Sequence, residues 1–199
     1  MPYFNSEMKE LKDYINSYFS VSKSDLIKIA NNFKLTELKK SEYFNKIGRT
    51  CDKLSFIKSG IIRIFREVDN KEITQWISTR GSFVTDIGSF TFQSAGRWNI
   101  IALTDCELYT IDHKTYINSA TYIPHWAEID KLFITHCLVA IEENLFSHLH
   151  MTAEERFKKL FTENPELFNQ VPLQYLASML GMTPETLSRL RNKSIRSIS

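Results

Sequence analysis

Between Val171 and Lys193 the chain reads VPLQYLASMLGMTPETLSRLRNK, two short helical patterns that meet at Gly181. The first places Leu176, Ala177 and Leu180 on one side, and the second places Leu187 and Leu190, with Met182 in the turn. At those spacings two helices can cross steeply over one small shared core. Ala177 suits the crossing point, where a larger side chain would hold the helices apart, and Gly181 suits a turn needing positive φ. Thr183 reads as an N-cap whose hydroxyl accepts an orphan backbone N–H, and Pro184 falls at the first helical position, where its missing donor costs nothing.

With Leu187 and Leu190 directed inward, the opposite face carries Glu185, Ser188, Arg189 and Asn192 at i, i+3, i+4 and i+7. All four hydrogen-bond, and packing requires none of them. This is a helix-turn-helix pattern, in which the second helix enters the major groove of DNA. The competing reading is a structural αα-corner with a solvated polar face. The small residue, the glycine, the Thr-Pro start and three framing leucines together favour the first, and charge agrees with it. The whole chain carries only +2, but after Gln170 the charged residues are Arg189, Arg191, Lys193 and Arg196 against Glu185 alone. A basic end on a nearly neutral body is what attraction to phosphate requires.

Upstream the periodicity changes twice. Glu7–Phe19 reads as an amphipathic helix with Leu11, Ile15 and Tyr18 on one stripe, and a second helix, capped by Ser22 or Ser24, is expected to run to about Ala30. From Phe33 come short stretches rich in β-branched and aromatic residues: KLTEL, EYFNKI, KLSFIKS, IIRIFREV, EITQWIST, WNIIALT and CELYTID. Gly48, Gly60, Gly81 and Gly96 punctuate them, and Val68–Lys71 has the composition of a hairpin turn. Strands of this length and spacing predict an antiparallel sandwich or barrel. From Ile123 the period is again helical, without Gly or Pro from Trp126 to about His150. Trp126, Ile129, Phe133, His136, Ala140, Asn144 and Ser147 lie near one line, with Leu132, Ile141, Leu145 and Leu149 beside it. A long helix apolar over much of its circumference needs cover on more than one side, so a two-fold dimer is expected through this helix, with burial inside one chain as the alternative. Thr152–Glu155 then forms a capping box opening a further helix.

The remaining chemistry is thin. No segment reaches the roughly 18 apolar residues of a membrane span, and the start has no apolar run behind a basic head, so a cytoplasmic chain without a membrane partner is expected. Cys51, Cys106 and Cys137 are scattered, which predicts reduced thiols rather than a cluster or disulfides. His148 and His150 form the one close histidine pair, expected to face solvent and bind no metal. GxSxG, GxxxxGK and HExxH are absent from the sequence, so no catalytic activity is expected.

A glycine-punctuated β-roll, a long helix and a C-terminal helix-turn-helix together resemble the CRP/FNR family of bacterial transcription regulators, most closely in LGMTPETLSRLRNK, KLSFIKSGIIRIF and RGSFVTDIGSF. The resemblance implies an α+β fold: a jelly-roll-like antiparallel β-roll with flanking helices, a long dimerisation helix and the DNA-reading pair. Only SIRSIS follows that pair, so the family's β-hairpin wing is expected to be reduced or absent. The implied limits are 1–122 for the N-terminal helices and effector β-roll, 123–150 for the dimerisation helix, and 151–199 for the DNA-binding domain. Implied partners are double-stranded DNA with a two-fold-related site and a second copy of the chain, with RNA polymerase left open. Matched by position, Glu185, Ser188 and Arg189 fall where the family reads bases. Arg189 suits guanine O6 and N7, and Glu185 suits a cytosine amino group. Gln174, Thr183, Arg191 and Lys193 suit phosphates.

The effector pocket departs from the family. Members binding a cyclic nucleotide hold its phosphate and ribose with a Gly-Glu pair and a downstream Arg-Ser or Arg-Thr pair. Here Thr85-Asp86 aligns with the first pair and Gly96-Arg97, followed by Trp98, with the second. The arginine is displaced by one position, which on a strand turns a side chain to the other face. Asp86 is one methylene short of the glutamate. Both changes favour another small effector, or none, over cyclic AMP or GMP, though slack before Trp98 keeps the nucleotide open. A reading from a different class also stands: a ligand-binding or scaffolding β-roll whose helix-turn-helix serves as a protein contact.

Overall fold

The computed structural model describes residues 8–19 and 21–196. Two compact units emerge, one formed by 1–64 with 78–137 and the other by 65–77 with 138–199. The architecture is α+β, with two four-stranded antiparallel sheets and flanking helices, as the strand and helix periodicities predict.

The strands are β1 (Lys34–Leu38), β2 (Tyr43–Asn45), β3 (Lys53–Ser59), β4 (Ile62–Val68), β5 (Lys71–Ser78), β6 (Phe83–Val84), β7 (Asn99–Ala102) and β8 (Cys106–Asp112). One sheet has the order β1-β8-β3-β6 and the other β2-β7-β4-β5. Strand β3 is buried from Leu54 to Ile57 because both of its faces are covered there. Its Leu54 and Phe56 join Tyr109 and Ile111 of β8 in a cluster with the helices, whereas Ile57 joins Leu108, Val84, Ile62 and Ile100 between the sheets. A strand covered on both sides reads as a continuous apolar run, and a slip of one residue would exchange the two cores. At the β4–β5 turn Asp69 and Asn70 both have positive φ, +51° and +58°, which is the type I′ geometry that matches the twist of a two-residue hairpin.

In the first unit the helices are α1 (Lys9–Phe19), α2 (Lys23–Asn31), α3 (Ile87–Phe92) and α4 (His113–Asn118), followed by α5 (Trp126–His150) as far as Cys137. Ser22, not Ser24, caps α2, accepting the Asp25 N–H at 3.1 Å. Leu11, Ile15, Ile29 and Phe33 close over the outer face of β3 and β8.

Along helix α5 the apolar residues divide between two surroundings. Trp126, Ile129 and Phe133 are buried in this same cluster within one chain, and the ring of His136 stands edge-on to Tyr14. The i, i+3, i+7 stripe is the one nearest the sheet, and the aromatic layer formed by Phe56, Phe83 and Tyr116 needs that cover. Ala140, farther along the stripe, is half-buried. The exposed apolar side is the neighbouring row of Leu138, Ile141, Leu145 and Leu149, with Leu132 before it.

In the second unit α5 continues to His150, followed by α6 (Ala153–Glu163), α7 (Leu167–Gln170), α8 (Leu173–Met179) and α9 (Pro184–Arg196). The predicted capping box is present: the Thr152 N–H donates to Glu155 Oε2 at 2.7 Å, and the Glu155 N–H donates to Thr152 Oγ1 at 3.3 Å. Phe157, Phe161 and Phe168 pack ring against ring beneath it.

Candidate functional site

The helix pair has the geometry the sequence predicts. Leu176, Ala177 and Leu187 are fully buried, and Leu180 and Leu190 nearly so, while Leu173, Met179 and Met182 are half-buried. Gly181 takes φ +63°, and Thr183 caps α9 by accepting the Thr186 N–H at 3.3 Å. The C-terminal carbonyls of α8, which have no helical donors of their own, meet two basic side chains. Arg156 Nε donates to the Leu180 carbonyl at 2.8 Å, while its Nη1 donates to the Met151 carbonyl at 2.6 Å. His148 Nε2 lies 3.1 Å from the Met179 carbonyl, and its Nδ1 lies 2.9 Å from that of Asn144. His148 and His150 are both exposed, as expected, but His148 also engages the end of α8, a role that sequence spacing alone did not signal. His150 stacks on Phe146 instead, and no metal-binding group of His, Cys, Asp or Glu occurs among the described residues.

On the outward face of α9, Glu185, Arg189 and Asn192 are exposed and Ser188 is half-buried. The Glu185 carboxyl is held below the usual carboxylate range, first by a backbone N–H at the helix start and then by the Thr183 hydroxyl, so it presents a charge. Of the residues expected to meet phosphate, Gln174 and Thr183 are exposed. Arg191 is half-buried and donates to Asn169 Oδ1 at 3.2 Å. Lys193 Nζ lies 3.2 Å from Glu154, an exposed pair of the kind that contributes little and exchanges readily for another anion. The side chain of Arg196, and residues 197–199 where a wing would begin, lie outside the described residues.

The roll holds the other candidates, and here the structure differs from the expected pocket. Asp86 does not project as a free carboxylate. It caps α3, is 1% exposed, and accepts the N–H groups of Ser89 at 3.2 Å, Arg97 at 2.7 Å and Trp98 at 3.2 Å. Thr85 donates its hydroxyl to the Lys53 carbonyl at 2.9 Å. Trp98 packs partly buried against the inter-sheet core. Arg97 is exposed, its Nη2 only 3.4 Å from where a Cβ on Gly88 would lie. Asp86, Arg97 and Trp98 thus come together near the start of α3 through the Asp86 carboxylate, whereas Thr85 is bonded to Lys53 instead.

Among the described residues no helix is long and apolar enough to cross a membrane. Residues 35–118 match the family model of the cyclic nucleotide-binding domain. No curated protein matches the chain in sequence. Solved structures do match. A cAMP-bound PfPKA-R structure shares 21% identity at TM-score 0.52 over 60% of this chain, which spans only 42% of that one. FixK2 from Bradyrhizobium japonicum shares 15% identity at TM-score 0.69, covering 83% of this chain and 85% of its own. A structure from Eubacterium rectale assigned to the crp/fnr family of transcriptional regulators shares 16% identity at TM-score 0.66, covering 92% of this chain and 88% of its own. The chain therefore carries a cyclic nucleotide-binding-type domain within an overall fold like that of CRP/FNR regulators.

Proposed function

We propose that the chain is a dimeric, sequence-specific DNA-binding transcription regulator of the CRP/FNR type. The observation that carries this reading is the division of α9: Leu187 and Leu190 are buried against α8, while Glu185, Arg189 and Asn192 remain exposed together. A face of acceptors and a guanidinium that packing does not use is what base-edge readout needs. In this reading Arg189, Glu185 and Ser188 read bases. Gln174, Thr183, Arg191 and Lys193 set register on phosphates, with Lys193 exchanging Glu154 for a phosphate oxygen. Residues 1–122 form the effector-type roll, 123–150 the dimerisation helix and 151–199 the DNA-binding domain.

A second copy of the chain covers Leu138, Ile141, Leu145 and Leu149. They fall at i, i+3, i+7 and i+11 and are each about half exposed or more, an unbroken apolar row that a partner helix fits. Two-fold pairing would present the two α9 helices to a two-fold-related site. The test is duplex selection from a random pool followed by affinity measured across salt. A steep linear fall of log affinity with log salt supports the reading, because each phosphate contact releases counterions. No enrichment of any duplex at low salt would refute it.

A further inference from the structure

The resemblance to a nucleotide-binding roll raises the question of what this roll can hold. Ile57, Ile62, Val84, Ile100 and Leu108 fill the space between the sheets, and none is more than 2% exposed. A purine and a ribose could not enter that packed core without displacing side chains. At the start of α3 the side chains of Asp86 and Ser89 are already bonded within the chain. Ser89 Oγ donates to the Ser94 carbonyl at 2.6 Å and accepts the Cys51 N–H at 2.8 Å. The N–H groups of Arg97 and Trp98, consecutive in the chain, converge on a single Asp86 oxygen. Successive N–H groups aimed at one point form an anion-binding concavity, and here the anion is a side chain of the protein.

Gly96 explains why the family's arginine is absent from its aligned position. A Cβ there would lie 2.7 Å from both the Arg49 carbonyl oxygen and Asn45 Nδ2, and 3.3 Å from Asp86 Oδ2. The Gly96 N–H donates to that same Arg49 carbonyl at 3.0 Å, and the Gly96 carbonyl accepts the Gly48 N–H at 2.8 Å. The backbone approach that seats this loop on the β2–β3 connection excludes any side chain at position 96. Arg97, one residue later, lies exposed across Gly88.

We propose that Asp86 is a built-in anion that closes the roll, so that cyclic nucleotides are not ligands of this chain. Its carboxylate takes the amide donors that a bound phosphate or ribose would otherwise attract, and it holds residues 94–98 in the closed arrangement. The proposal concerns the roll alone and is independent of whether α9 reads DNA.

The test uses the full chain with cyclic AMP and cyclic GMP as probes. Isothermal titration should give no saturable heat up to about 1 mM nucleotide. Amide exchange of Arg97 and Trp98 should be slow in nucleotide-free protein and unchanged by either nucleotide. Saturable one-to-one binding in the micromolar range would overturn the proposal, as would fast exchange of those two amides in the free protein. Asp86→Ala should free the same donors: exchange at Arg97 and Trp98 accelerates, and added inorganic phosphate slows it again in the variant but not in the wild type. Persistent protection in phosphate-free Asp86→Ala would also overturn it. Should that variant fail to fold, the wild-type titration and exchange data decide by themselves.

Discussion

Arg156 provides the sharpest test of how the helix pair is held. Its guanidinium donates to the Leu180 carbonyl at the end of α8 and to the Met151 carbonyl before α6. A hydrogen bond from a charged donor contributes roughly 1.5–3 kcal/mol. Both acceptors lie in partly exposed surroundings, so water recovers part of each bond on truncation. The low end of the range is therefore appropriate for each, and Arg156→Ala should loosen the turn by about 2–3 kcal/mol. Lysine has no planar fork and serves one carbonyl at a time, so Arg156→Lys should lose about half as much. The reporter amides are those of Gly181 and Met182, which donate to the Ser178 carbonyl at 3.1 Å and the Ala177 carbonyl at 3.0 Å. At 1.4 kcal/mol per decade their exchange should accelerate by about 30- to 150-fold in Arg156→Ala. DNA affinity should fall less than exchange rises, because affinity follows only the fraction of chains in the competent arrangement. Exchange at Gly181 and Met182 within about threefold of wild type would refute the clamp, since it would mean the two bonds contribute well under 1 kcal/mol to that turn.

Other expectations are as direct. Arg189→Ala should lower discrimination at one guanine by about 1–3 kcal/mol per half-site, read from a binding-site selection, and leave thermal stability unchanged because the side chain is exposed. Leu187→Ala should destabilise the helix pair by about 2–5 kcal/mol in urea unfolding, since the residue is fully buried and the two short helices have little else with which to fill the cavity. Leu145→Glu, on the exposed row of α5, should convert a dimer to a monomer in sedimentation without loss of helix content. Burial pushes the Cys137 thiol up to about 11 from an ordinary value of 9.0. A group whose pKa rises on folding contributes stability that is complete below the unfolded value and lost as pH rises through the folded one. Stability should therefore decline between about pH 9 and 11, and Cys137→Ala should remove that component of the decline in alkaline melting curves.

Much of the fold was legible because its signals are local. The limits of β3, β8 and α5, the capping box at Thr152 and the hairpin at Asp69-Asn70 each follow from periodicity or turn chemistry within a dozen residues. The leucine pattern of 176–190 likewise gave the buried and exposed faces of the helix pair. Three features were not legible, each because it depends on what meets what across the chain. The stripe of Trp126, Ile129 and Phe133 looks the same in sequence whether it meets a partner or its own sheet, and only the position of β3 and β8 decides. Asp86 looks like a shortened ligand carboxylate until residues eleven and twelve positions later turn their amides onto it. His148 gains its place from the end of α8, 31 residues away.

In the proposed dimer, the uncovered row on α5 would make the chain's own abundance a control variable. With Leu145 at 59% and Leu149 at 76% exposure, that helix side would be wetted in a lone copy and dry in the proposed pair, so association and stability would form one linked equilibrium. Under dilution the chain would lose resistance to heat and occupancy of a two-fold site together. A cell would then sense how much of this protein it holds before any small molecule enters the account.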